Sequence, residues 1–134
     1  MTDYNVMPDY QTRRKIINDI CEKYSFVHHS FAGKSVCGRC IDVLHIGNTK
    51  NCVLYCAGFH GSEYLTVTAV LKFFEQCADA MENDSVVGRY KIRDFLREKG
   101  LTIVPCVNPD GVEIAIHGSV SYTHLRAHET SLHL

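Results

Sequence analysis

The chain has 134 residues, 14 Lys and Arg against 15 Asp and Glu, a formal net charge of −1 and 46% hydrophobic residues, the balance of one globular domain. Near-neutral charge without a long Lys/Arg run argues against a nucleic-acid or anionic-membrane partner. The best apolar run, residues 52–57, breaks at Gly58, far short of the roughly 20 residues that cross a bilayer.

In chain order, Pro8 and Asp9 precede Ile16, Ile17, Ile20, Cys21 and Tyr24, whose spacing predicts an amphipathic helix. Residues 25–30 and 40–46 are β-prone and joined by a glycine-bearing stretch, which predicts an antiparallel pair. Residues 52–57 are apolar on both parities, the pattern of a central strand covered by helices on both faces. Residues 62–83 carry Val67, Val70, Leu71, Phe74, Ala78 and Met81 at helical spacing. A second helix is expected over residues 86–99, burying Ile92, Phe95 and Leu96 and ending at a left-handed Gly100. Residues 101–107 read as a strand and Asn108-Pro109-Asp110-Gly111 as a turn. This alternation predicts an α/β fold, a three-layer sandwich with a mixed, centrally parallel sheet.

The beginning of the chain carries Asp3 and Asp9 and no apolar stretch behind a basic end, so it does not read as a secretory signal. A cytoplasmic location is expected, with the seven cysteines as reduced thiols. Composition shifts after Gly118, where three of the eight histidines fall in residues 119–134 without periodicity. Residues 120–130 resemble, position for position, the translation of a transposon-based sequencing-library adapter. Residues 1–118 are therefore read as the N-terminal part of a longer catalytic domain and residues 119–134 as a non-native tail. The i, i+4 pair His124 and His128, a zinc-like spacing, is set aside for that reason.

Chemistry concentrates at the exit of the strand expected over residues 52–57, where the sequence reads Ala57-Gly58-Phe59-His60-Gly61-Ser62-Glu63. Ligands of open α/β sheets bind at strand ends. His60 and Glu63, at i and i+3, let an imidazole nitrogen and a carboxylate oxygen converge, and both donors suit Zn²⁺. Gly58 and Gly61 allow the tight bend this needs. The same residues admit a plainer account, with Glu63 as a first-turn helix acid and His60 as a loop histidine bonded to backbone.

Other residues read as structural. Cys37, Cys40, Cys52 and Cys56 could form a four-thiolate zinc module, but within a strand residues 52 and 56 stand about 13 Å apart. Arg39 is expected to clasp its own turn. His28, His29 and His45 lack an acid at ligand spacing and read as partly exposed sheet residues, and no chemistry is assigned to residues 108–111.

Three stretches in order resemble the zinc carboxypeptidases of peptidase family M14. Gly33-Lys34-Ser35-Val36-Cys37-Gly38-Arg39-Cys40-Ile41 is similar to the family's G-x-S-x-x-G-R-x-I segment, His60-Gly61-Ser62-Glu63 to its H-x-x-E, and Asn108-Pro109-Asp110-Gly111 to its N-P-D-G. The resemblance implies a zinc hydrolase acting on a peptide with a free C-terminus, with His60 and Glu63 as two of three protein ligands. It also implies a second histidine as the third ligand, a carboxylate-binding arginine and a general-base glutamate further along than residue 118, so no catalytic residue is carried over and His117 is not promoted to ligand. As written, the chain is expected to be inactive alone. Zinc deacylases of N-acyl amino acids share a glycine-flanked H-x-x-E and form the alternative enzyme reading. By analogy, a bacterial type acting on small peptides, such as cell-wall fragments, is favoured.

Overall fold

The computed structural model describes residues 2–118; the reading of residues 119–134 as non-native lies outside them. The first helix, α1 (Tyr10–Lys23), starts where the Asp9 carboxylate accepts the Thr12 backbone N–H at 2.9 Å, and it buries Ile16, Ile17 and Ile20. Strand β1 (His28–Lys34) pairs antiparallel with β2 (Cys40–Ile46), with a bulge between Phe31 and Gly33. Next come β3 (Cys52–Cys56), a 3₁₀ turn (Gly61–Glu63) and the long α2 (Leu65–Glu82). A small hairpin of β4 (Val86–Val87) and β5 (Tyr90–Lys91) leads into α3 (Ile92–Glu98), then β6 (Gly100–Val104) and α4 (Pro109–His117).

The main sheet has the order β1-β2-β6-β3, with β6 antiparallel to β2 and parallel to β3. Parallel neighbours require a crossover, and α2 with α3 provide it. Leu44 and Ile46 of β2 stand opposite Ile103 and Leu101 of β6, so these four share one face. That face is buried with Ile17, Leu71, Phe74, Leu96 and Val112, so α1, α2, α3 and α4 contribute to one core among the described residues. The α/β class and the mixed sheet are as the sequence predicts, while a second covering layer is not among the described elements.

Three local expectations are corrected. Residues 52–56 form an edge strand among the described residues, not a central one, because β6 inserts between β2 and β3. Leu54 is 58% exposed; a two-faced apolar pattern needs cover on both faces, and the described elements supply it only on the face of Val53 and Tyr55, opposite Leu101 and Ile103. The stretch 86–99 is not one helix. Val86 and Val87 pair with Lys91 and Tyr90 across Gly88, whose φ of 63° lets the hairpin turn, and helix begins only at Ile92. Gly100 is no helix cap: Lys99 is already extended, and Gly100 opens β6 where an added Cβ would lie 2.1 Å from the Asn48 carbonyl oxygen. Finally, residues 108–111 start a helix instead of making a free turn. Asn108 caps α4 by accepting the Gly111 N–H at 3.0 Å, and Pro109 occupies the first turn, where its missing N–H costs nothing.

Candidate metal centre

The ends of β3 and β6 stay tied beyond the ladder. Ala57 N–H donates to Val104 O at 3.0 Å, Val107 N–H to Ala57 O at 2.9 Å, and Asn108 N–H to Gly58 O at 2.9 Å. At Gly58, with φ of 68°, a side chain would press within 2.9 Å of Val67 Cγ2 and 3.0 Å of Cys106 Sγ, so glycine is required both by backbone and by space. The chain then turns: Glu63 N–H donates to His60 O at 3.0 Å, the Thr66 hydroxyl donates to Glu63 O at 2.7 Å, and Gly58 N–H donates to that same hydroxyl at 3.1 Å.

This turn brings His60 Nδ1 within 3.2 Å of Glu63 Oε2, with the two side chains 77% and 58% exposed. The pair meets in solvent at the strand-end rim. The spacing suits a tetrahedral zinc, for which two ligand atoms at about 2.0 Å from the metal stand ~3.3 Å apart. The nitrogen and oxygen donors also match zinc chemistry. Among the described residues, no three His, Cys, Asp or Glu side chains gather as a metal site.

Behind the turn lies the start of α4. The Asn108 side-chain amide donates to Phe59 O at 3.1 Å. Gly61 runs so close to α4 that an added Cβ would sit 2.1 Å from Gly111 O. Asp110, buried at the first turn of α4, reaches away to the loop between β1 and β2. It accepts from Ser35 Oγ and Arg39 at 2.8 Å each and from Cys37 N–H at 3.1 Å, while Arg39 N–H donates to Ser35 Oγ at 2.9 Å. Arg39 is thus the expected clasp, but its anchor is Asp110, a residue to which the sequence reading gave no role. The signal was present: Asn followed by Pro is a helix-start pattern, and a helix start would have put Asp110 and Asn108 beside the H-x-x-E turn.

The remaining candidates are dispersed. His29 does have an acid partner, Asp42 of β2, at 2.7 Å. It was missed because the pairing runs diagonally across strands, where sequence spacing says nothing. His45 bonds Thr102 Oγ1 at 2.7 Å and Gly47 O at 3.0 Å. His117, in the last turn of α4, bonds Asp9 at 2.9 Å. Cys37 and Cys40 flank the entry to β2, while Cys52 and Cys56 mark the two ends of β3, with β6 between the strands. His124 and His128 lie outside the described residues.

The architecture is that of carboxypeptidases: the solved structure of carboxypeptidase A from Helicoverpa armigera matches with a TM-score of 0.69 and 22% identity, covering 90% of this chain and 29% of that one. Residues 14–130 match the family model described as Zinc carboxypeptidase, Peptidase_M14, and the chain belongs to that family. Curated relatives include gamma-D-glutamyl-L-diamino acid endopeptidase 1 of Lysinibacillus sphaericus, 29% identical over 82% of this chain. The uncharacterized protein YqgT of Bacillus subtilis is 36% identical over 78%. The chain spans 28% of the length of each of these two relatives.

Proposed function

We propose that His60 and Glu63 are two of the zinc ligands of a metallocarboxypeptidase that removes C-terminal residues from peptides. The observation that carries this reading is the 3.2 Å approach of His60 Nδ1 and Glu63 Oε2 at a strand end, in a chain of the zinc carboxypeptidase family. When bound, zinc supplies Lewis-acid polarisation of a carbonyl and activation of a water. The protein's own contribution is positional. Thr66 holds the carbonyl of Glu63 and the N–H of Gly58, so the turn carrying both donors is closed before any ligand arrives. Exposure of both side chains leaves the pair open to an incoming substrate. No residue of this chain is assigned as the general base, the carboxylate-binding arginine or the third ligand.

Metal analysis and peptide hydrolysis on the intact protein that carries this chain test the proposal. Wild type should hold one zinc, and His60→Ala and Glu63→Gln should lose it together with the activity. Equal stoichiometric zinc in wild type and His60→Ala would overturn the assignment. The similarity to the Lysinibacillus endopeptidase favours a second substrate reading, cleavage of a γ-D-glutamyl to diamino-acid bond within a bacterial peptide. Comparing that peptide with a plain C-terminal dipeptide separates the two, and hydrolysis of an N-acyl amino acid in preference to both would favour the deacylase alternative.

A further inference from the structure

We propose that Asn108 is a positioning residue for the His60–Glu63 turn and that its side-chain amide acts on the metal site through the carbonyl of Phe59; this rests on the zinc reading given above. Asn108 makes three bonds of different purpose. Its Oδ1 accepts Gly111 N–H at 3.0 Å and caps α4. Its backbone N–H holds Gly58 O at 2.9 Å, and its Nδ2 holds Phe59 O at 3.1 Å. The two carbonyls that precede His60 are therefore gripped by one residue.

Because a peptide unit is planar, fixing the oxygen of Phe59 also fixes the direction of the His60 N–H and so the point from which the imidazole is launched. That launch matters here because the His60 ring is 77% exposed and bonds to Glu63, a side chain that is itself mostly exposed. Packing does not set where the ring goes; the backbone beneath it does. Ligands held in place in advance bind metal with less ordering cost. The support is itself anchored, since Asp110 ties the first turn of α4 to Ser35, Cys37 and Arg39.

Residue type separates this role from simple capping. Asp and Ser cap helices about as well as Asn. Neither supplies the amide donor: Asp would set a carboxylate oxygen against the oxygen of Phe59, and Ser is too short to replace the arm.

The experiment uses the intact protein, stripped of metal and titrated with Zn²⁺ while the His60 ring signals are followed by NMR. Thermal unfolding of the metal-free protein is measured alongside. Asn108→Asp and Asn108→Ser, which keep the helix cap, should lower the metal-free melting temperature less than Asn108→Ala yet weaken zinc binding at least tenfold, about 1.4 kcal/mol. Asn108→Ala should lose both. Zinc affinity within twofold of wild type in either capping variant would overturn the proposal, as would a loss that merely tracks lost stability, which would leave Asn108 a helix cap. His60→Ala is the control for the underlying reading: if it retains zinc, the ligand assignment fails and this inference with it. If it loses zinc while both capping variants bind normally, only the inference fails.

Discussion

Arg39 and Asp110, 71 residues apart in sequence, meet at 2.8 Å and join the loop between β1 and β2 to the first turn of α4. The bond ends one link short of the candidate metal site, because α4 carries Asn108 and Gly111 against the His60–Glu63 turn. Three motifs that stand apart in the sequence are thereby one hydrogen-bonded unit.

Asp110→Ala should be among the more damaging substitutions. It removes three hydrogen bonds and leaves Arg39, whose side chain is only 17% exposed, without its carboxylate. A loss of about 2–4 kcal/mol is expected in urea unfolding, with Ser35→Ala costing about 1 kcal/mol. A loss below ~0.5 kcal/mol for Asp110→Ala would place the pair among ordinary surface contacts.

Gly61→Ala tests the close approach of the turn to α4. An added Cβ would lie 2.1 Å from Gly111 O, and a backbone oxygen cannot swing aside as a flexible side chain can. The turn and helix start must separate, at a cost of about 1–3 kcal/mol. Amide exchange at Asn108 and Glu63 should speed up while α2 stays protected; unchanged exchange at both would show that the gap opens without disturbing the turn.

Much of this was legible in sequence, and the failures have physical causes. The helical period of Val67, Leu71 and Phe74 marks α2 because one face of that helix meets the core. His60 and Glu63 could be paired from spacing, since i and i+3 share a side of a turn and the turn is local. The edge position of β3 was not legible, because strand order depends on where a later strand inserts. Nor were the partners of Asp110, because although Asn-Pro marks a helix start, Ser35 and Arg39 lie 75 and 71 residues away. Val86 and Val87 were absorbed into a helix by the apolar pattern, although β-branched residues before a glycine favour a hairpin.

Acid should weaken the joint between α1 and α4. Burial works against ionisation of Asp9, but hydrogen bonds from Thr12 and His117 outweigh it and hold the carboxyl below its ordinary pKa. A depressed folded value means that the stabilisation is complete above the unfolded pKa, about 3.9, and fades as pH falls through the lower folded value. The stability gap between wild type and Asp9→Asn should therefore be full near about pH 5 and shrink below about pH 4. A gap that persists undiminished into stronger acid would contradict this.

Thiol reactivity should sort by environment. Burial pushes the Cys77 thiol up to about 11 and raises Cys106 as well, whereas hydrogen bonding to Arg14 and Tyr10 lowers Cys40. Near neutral pH, Cys40 should alkylate faster than the exposed Cys52 and Cys56, with Cys77 and Cys106 unreactive until unfolding. Mass-spectrometric mapping of a timed iodoacetamide reaction reads the order. Arg14→Ala should slow Cys40 toward the rate of the exposed pair, with Tyr10 still in place, and an unchanged rate would remove Arg14 as a cause.

Leu54→Lys should reduce self-association of the 134-residue chain without weakening its fold. Leu54 lies opposite Thr102 in the parallel ladder, on the face turned away from Leu101 and Ile103, and at 58% exposure it gives up little burial. Beside it, β3 is an edge strand among the described residues, and an apolar edge offers unpaired backbone groups to a second chain. A lysine there adds charge where strand addition would bury it. Unfolding free energy should stay within about 0.5 kcal/mol of wild type, while sedimentation velocity under reducing conditions should show less oligomer. The reducing agent matters because Cys52 and Cys56, both exposed, share that face and could cross-link copies. Val53→Lys is the contrasting variant: Val53 stands opposite Leu101 on the core side, so it should destabilise the fold and not improve solubility. If Leu54→Lys leaves the oligomer population unchanged, the open edge of β3 is not what draws copies together.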